Sequence, residues 1–370
     1  MMYGNLKNKM ITVGFILTLV VVMLGTIMTP PRTVSASERR RLAAPPAFTI
    51  DRLLNGTFFA DSETYLLDQM IWRDGFRGIK ALMVHHLLRQ KDNNGLYLID
   101  GRIGKLEYPL RPESVVRAAT GFNALYQRYF AGQPAWLAVI PDKNDYLAAP
   151  NGYPFVAYQD IMQLLEMELE SISLLSLYEH LNADDYYRTD IHWRQEKLLP
   201  LADLLLQTLG RTEKVSDRSY QHQQLYPFRG SYYGQAALPL EPDELVYLID
   251  DQSRKPQVYD HEKGSWLSVY EPDLFKGMDP YDVFLGGARA LITIENESAA
   301  SERELIIFRD SFASSLAPLL LPGYARITLV DLRYMRADLL PDYLTFHEQQ
   351  DVLFLYSTQV LNNSAMLRFS

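Results

Sequence analysis

Cysteine is missing from all 370 residues, which excludes disulfides, thiolate metal sites and thiol nucleophiles together. Positive charge is also short. The formal balance is −9, and no Lys/Arg stripe offsets it, so a nucleic acid partner is excluded. Internal repeats and low-complexity runs are absent, which argues against a solenoid. Histidine is scarce, with 7 in the chain, and no set of His, Asp and Glu shows a recognisable metal-ligand spacing. His85 and His86 are neighbours on a helical run and cannot face one site, so they read as core or surface residues. No metal and no cofactor is expected.

What the chain does have begins at its N-terminus. Ile11 to Met28 is uncharged and rich in Val, Leu and Ile, and Lys7 and Lys9 precede it. Its length just suffices to span a bilayer. It is expected to be an uncleaved anchor, giving a single-pass cell-membrane protein with its large domain outside. The alternative is a signal peptide cut after Val34-Ser35-Ala36, which would release the protein. Flanking charge does not settle orientation, because Arg32 and Arg39 to Arg41 balance the lysines. The division expected is a cytoplasmic N-terminus (1–10), the apolar segment (11–28), a Pro-rich membrane-proximal linker (29–46) and one extracytoplasmic domain (47–370).

Within that domain, apolar residues recur at helical spacing from Asp61 to Gln90, as in one or two helices packing on a sheet. Short apolar runs then alternate with helical patterns. Strands are expected at Leu96–Ile99, Trp136–Ile140, Leu305–Phe308, Ile327–Val330 and Val352–Tyr356, with helices at Tyr158–Ile172, Leu198–Leu209 and Ala313–Leu320. Such alternation implies an α/β fold with a mainly parallel sheet flanked by helices. The region near 212–287, rich in Tyr, Pro, Gly and Asp, reads as an irregular insertion.

Two short stretches carry the chemistry. In "YYRTDIHWRQ", Asp190 stands two residues before His192, and Trp193 follows. In "LIIFRDSFA", Ser311 sits in a tight turn between a strand and a helix. Parallel sheets hold their sites at the carboxyl ends of strands, and backbone N–H groups at such a turn can hold an oxyanion. A serine hydroxyl needs a base, and His192 could supply one with Asp190 fixing its tautomer. In an extended loop, Asp190 and His192 would point to the same side. The plainer possibility is that Asp310 or Ser311 caps a helix and Asp190 shapes a turn.

Beyond these residues, the chain resembles the DHHW family of bacterial cell-surface proteins. That family is similar to the alginate O-acetyltransferases with an SGNH-hydrolase-like fold. The resemblance rests on "YYRTDIHW", "WLAVIPDKNDYL", "YDVFLGGARALITIENE", "LIIFRDSFASSLAPLLLPGYARITLVDLRY" and "DVLFLYSTQVL", together with "SERRRLAAPPAFT" near the N-terminus. It implies a triad of Asp190, His192 and Ser311, permuted in chain order relative to ordinary SGNH esterases. It also implies an acetyl group taken from a membrane-bound O-acyltransferase partner and a hydroxyl of a cell-surface polysaccharide as acceptor. Lys143, Trp193 and Arg289 are the substrate-binding candidates; for Lys143 the alternative is a surface or structural role. The pattern departs at Ala288, where the family usually shows asparagine after Gly-Gly. An amide there could serve the oxyanion, and the Arg289 guanidinium is the candidate replacement. The function expected is O-acetyl transfer or ester hydrolysis through an acetyl-serine. The rival is an inactive glycan-binding or scaffold member of the same family.

Overall fold

The computed structural model describes residues 2–251, 256–299 and 301–370, and it divides into two compact units. The first unit comprises the chain up to Asn93 together with Tyr233–Pro239. It opens with a helix from Met2 to Met28, of which Leu6–Met28 is long and apolar enough to cross a membrane. The stretch expected to be a linker is folded. Val34–Ser35 pairs with Arg40–Arg41, and buried Asp68 accepts hydrogen bonds from Arg40 and from the Ala43 N–H. The Arg40 contact holds the Asp68 carboxyl down at about 2. Helices at Thr57–Gln69 and Arg73–Leu82 follow, as the periodicity predicts. Their apolar residues do not pack on a sheet within this unit: Leu66, Leu67, Phe76 and Ile79 are exposed. The two compact units divide near Asn93, within the stretch read from the sequence as one domain.

The second unit holds an eight-stranded sheet. In chain order its strands are β1 (Ala135–Ile140), β2 (Ser173–Ser176), β3 (Gln257–Asp260), β4 (Ser265–Ser268), β5 (Leu291–Glu295), β6 (Glu304–Arg309), β7 (Arg326–Val330) and β8 (Gln350–Ser357). They lie in the order β4-β3-β5-β7-β6-β8-β1-β2. The pairs from β7 through β2 are parallel, and those from β7 out to β4 are antiparallel. The mainly parallel α/β architecture read from the sequence is what the chain forms.

Strand alternation explains the two-sided burial. Along β6, Leu305 and Ile307 enter one core while Ile306 and Phe308 enter the other. Four helices cover the faces: α1 (Pro112–Tyr129), α2 (Tyr158–Glu168), α3 (Leu199–Thr208) and α4 (Ala313–Leu320). α3 and α4 supply Leu201, Leu205, Leu316 and Leu320 to the first core, and α1 and α2 supply Phe122, Leu125, Ile161 and Leu165 to the second. Each such side chain, fully buried, contributes about 1.5–3 kcal/mol.

Two expectations need correction. α2 stops at Glu168 rather than Ile172, because Leu169 turns to extended backbone and the chain then forms β2 beside β1. The segment read as an irregular insertion contains paired strands among its loops: Tyr220–Phe228 pairs with Asp243–Asp250, and β3 and β4 extend the sheet. Its Tyr and Asp residues masked an alternation that only pairing makes visible.

Asp145 exposes a local cost of this packing. Its Oδ1 accepts the Tyr158 N–H at 2.8 Å where α2 begins, while Oδ2 is buried without a hydrogen-bond partner among the described residues. Burial, reinforced by the neighbouring Asp142 carboxyl, pushes its pKa up to about 7. The folded state thus keeps a proton that the unfolded chain releases from the ordinary carboxylate range upward, so stability falls as pH rises through that window. Asp145→Asn retains the acceptor for Tyr158 without ionising. Its melting temperature should exceed that of wild type at pH 8, with the gap closing toward pH 4; a gap independent of pH would refute the assignment.

Candidate active site

The Asp-x-His-Trp segment is a closed turn rather than an extended loop. Tyr186 and Trp193 form an antiparallel bridge, and the Tyr187 N–H donates to the His192 carbonyl at 3.1 Å. Inside the turn, Asp190 Oδ1 accepts the His192 backbone N–H at 3.0 Å and lies 2.6 Å from His192 Nδ1. The pair meets because the carboxylate folds back on the chain two residues on, a habit of aspartate in turns.

Ser311 comes from the other direction. β6 ends at buried Arg309, and Asp310 shapes the turn that follows. Its Oδ1 accepts the Phe312 N–H at 3.1 Å and its Oδ2 accepts the Ser357 N–H at 2.8 Å, tying the carboxyl ends of β6 and β8 together. Ser311 is half-buried just before α4, with its Oγ 2.8 Å from His192 Nε2. Its own N–H donates to no protein group among the described residues. The structure thus brings Asp190, His192 and Ser311 into one hydrogen-bonded line across 119 residues of chain.

Trp193 is what joins the two pieces. Its indole N–H reaches the Phe312 carbonyl and the Ser315 hydroxyl, each at 3.0 Å, and its ring meets Phe312 edge-on. It is fully buried, so the substrate-binding role expected of it is corrected to a structural one. Lys143 is corrected in the same way. It is buried, and its ammonium donates to the Asp190 carbonyl at 2.6 Å and the Tyr187 carbonyl at 3.2 Å, beneath the Tyr232 ring. Burial lowers its pKa to about 8, against the opposing pull of the Asp190 and Asp142 carboxylates. Arg289 is also engaged elsewhere: its guanidinium pairs with buried Asp260 and donates to the Gly286 carbonyl. Ala288 is exposed and carries no donor in its side chain.

Several supporting residues had no sequence signal. Asp243, from the hairpin that pairs with Tyr220–Phe228, accepts the Thr189 N–H and hydroxyl at 2.8 and 2.6 Å. The Ser231 N–H donates to Asp190 Oδ2. Gly230 must be glycine: a Cβ there would lie 2.3 Å from the Thr189 carbonyl oxygen and 2.4 Å from the Asp190 side chain. Tyr281 stacks on the His192 imidazole at 3.9 Å and 5° and anchors its hydroxyl on Ser315 Oγ at 2.8 Å.

Beside Ser311 lies a cleft of about 510 Å³, lined among others by Lys105, Arg111, Ile191, Arg333, Gln359 and Asn362. Arg333 is held by a two-pronged contact with Asp331, at 2.9 and 2.7 Å, and faces the cleft already neutralised. Among the described residues no group of three or more His, Asp and Glu side chains is arranged to hold a metal ion.

Lys143 carries the first test of this geometry. Lys143→Met removes a buried charge but frees two carbonyls of the triad turn. On a small acetyl ester, kcat should fall by ~10²-fold, the cost of roughly 1 Å of misplacement, with KM little changed. A variant with wild-type kcat would dissociate Lys143 from triad geometry.

No protein-family model matches the chain, and no curated protein does. Solved structures do share its fold. A DHHW family protein from Eubacterium siraeum superposes with a TM-score of 0.61 at 21% identity, over 74% of this chain and 94% of that one. Bacillus cereus PatB1 gives 0.57 at 18% identity, over 73% and 97%, and it has also been solved with a sulfonyl adduct at 0.56. The resemblance to DHHW proteins seen in the sequence motifs therefore extends to the fold of most of the chain.

Proposed function

We propose that this chain is a membrane-anchored, extracytoplasmic acyl-transfer enzyme that passes an acetyl group through Ser311 to a hydroxyl of a cell-surface polysaccharide, or to water. The observation that carries this is the continuous contact from Asp190 through His192 to Ser311, at 2.6 and 2.8 Å. Those distances fall within the reach that nucleophile activation requires.

The chemistry follows from the roles of the three groups. Ser311 Oγ attacks the acetyl carbonyl carbon as its proton passes to His192 Nε2. Asp190, fixed by the Ser231 N–H, stabilises the imidazolium that forms. The oxyanion faces the Ser311 N–H, which donates to no protein group among the described residues. Collapse breaks the bond to the leaving oxygen, which takes the proton from Nε2 and leaves acetyl-Ser311. The acceptor hydroxyl then attacks, His192 again takes and returns the proton, and Ser311 is restored. Proton transfer by a positioned base contributes typically about 10²–10⁴ in rate. Transfer and hydrolysis differ only in the acceptor.

The donor follows from location. Acyl-CoA is not found outside the cell, so the acetyl group would come through a membrane-bound O-acyltransferase, as the family resemblance implies. Leu6–Met28, 23 residues, spans about 35 Å as a helix, against a hydrocarbon core of about 30 Å. An anchor of that length would keep the chain at the membrane through which the acetyl group is passed.

Two measurements test the proposal. A serine-directed fluorophosphonate should label wild type and fail on Ser311→Ala; an unlabelled wild type would favour the scaffold reading. The anchor should survive maturation, so the protein should stay with membranes through alkaline carbonate extraction. A mature N-terminus at Ser37 would show a cleaved signal and a released protein.

A further inference from the structure

On the face opposite α3 and α4, the part of the sheet beyond α1 and α2 carries a line of aligned side chains. Strand register sets Trp266 opposite Tyr259, Tyr259 opposite Thr293, Thr293 opposite Thr328 and Thr328 opposite Ile306. Five neighbouring strands at about 4.8 Å spacing make this row about 19 Å long. The residues between them, Val258, Ile292, Ile294, Ile327 and Leu329, point the other way into the core beneath α3 and α4. The second core, under α1 and α2, draws mainly on β1, β6 and β8. Beyond it the row floors a groove of about 440 Å³.

The chemistry of the groove is consistent along its length. Trp266 at one end and Tyr343 at the other are each about half exposed, at 51% and 50%. Tyr259 packs beside Trp266, with ring centres 5.0 Å apart. Between the rings, His261 Nε2, Thr293 Oγ1 and Thr328 Oγ1 form a chain at 2.9 and 3.1 Å, and both threonines are buried. A second row, two residues along the strands, holds Glu295, Arg326, Glu304 and Gln350. Glu304 there bonds Arg326 at 2.7 Å and Gln350 at 2.8 Å and lies 3.3 Å from His347. Arg326 is thus engaged by both Glu295 and Glu304, so its charge is already taken up by carboxylates.

We propose that this groove is a holding site for a neutral glycan, separate from the catalytic cleft. Exposed rings suit the apolar C–H face of a pyranose, while hydroxyls, an amide and fixed ion pairs suit its hydroxyl edges. A peptide strand would seek an open strand edge, whereas the groove offers the face of β3, β5, β7 and β6, each paired on both sides, with only β4 at the edge. An anionic polymer would need unpaired cations, whereas Arg326 is engaged by Glu304. Ile306 lies five residues before Ser311 on β6, so the site is about 16 Å from the nucleophile along the strand. A polymer held there could present a distant unit to Ser311. That acceptor role rests on the function proposed above; the binding site itself does not.

The full chain in detergent micelles should bind a β-1,4-linked N-acetylglucosamine or glucose tetramer in calorimetry. Trp266→Ala and Tyr343→Ala should each weaken that binding at least tenfold, and Trp266→Tyr should restore part of it. Ser311→Ala should bind as wild type does, whether or not the triad is active. Melting curves identify any variant that fails to fold, and the conservative variants Trp266→Tyr and Thr328→Val then carry the comparison. Absence of binding to both tetramers, binding indifferent to Trp266 and Tyr343, or binding lost with Ser311→Ala would each overturn the proposal. With an active enzyme, Trp266→Ala should raise KM for a polymeric acceptor while leaving hydrolysis of a small acetyl ester unchanged.

Discussion

The site depends on where one indole N–H goes. Trp193 donates to the carbonyl of Phe312 and the hydroxyl of Ser315, so the turn that carries the base is bonded to the helix start that carries the nucleophile. Leaving that buried donor without a partner would cost about 1–3 kcal/mol, so any slip between the two segments is opposed. Because His192 is the adjacent residue, the indole contact helps to set its height above Ser311. Tyr281 then fixes the plane of the imidazole by stacking, and its hydroxyl returns to the same Ser315. Two side chains thus meet on one hydroxyl behind the reacting pair. This is why the tryptophan belongs to the motif although it never reaches the cleft.

A buried ammonium is a costly way to hold a turn, since burial disfavours its charged form. Lys143 nonetheless sits below the triad and bonds two backbone carbonyls, with no carboxylate within ion-pair distance among the described residues. An apolar side chain would pack there at less cost but would leave the Tyr187 and Asp190 carbonyls unsatisfied. The ammonium also stands near the Asp190 carboxylate, which offsets part of the cost of burying the charge on Lys143. Geometry and electrostatics therefore ask for the same residue, and the strain of burial appears as a lowered pKa rather than as a displaced turn.

Much of this was legible in the chain. Apolar runs bounded by turns located β1, β6, β7 and β8, because strands buried on both faces leave continuous hydrophobic segments. Ser311 could be placed by the strand, turn and helix around it, and Asp190 and His192 by their spacing. The roles of Lys143, Trp193 and Arg289 could not. A charged or aromatic residue near a site has the same letter whether it faces solvent or lies beneath a turn, and only the packing decides. Asp243, Ser231 and Tyr281 act through contacts with residues 41 to 89 positions away in the chain, and local pattern carries no trace of them. In the segment near 212–287, the strands Tyr220–Phe228, β3 and β4 are short of apolar runs because they lie at an edge or in a separate two-stranded sheet, where polar and aromatic residues take their place.

The same contrast separates the two ends of the sheet. Ile292-Thr293-Ile294-Glu295 and Ile327-Thr328-Leu329 alternate, whereas Leu305 to Phe308 and Val352 to Tyr356 do not. A strand with helices on both faces needs apolar residues at every position, and a strand with one open face needs them at every second one. The alternation therefore marks where the helical cover ends before any contact is considered. Threonine rather than a longer polar residue fits these positions because its methyl group packs on the sheet while its hydroxyl bonds across the strands. A row of such residues, closed at each end by an exposed ring, is poorly suited to be core and poorly suited to be bare surface. It has the composition of a surface made to be covered by something polar and ring-shaped.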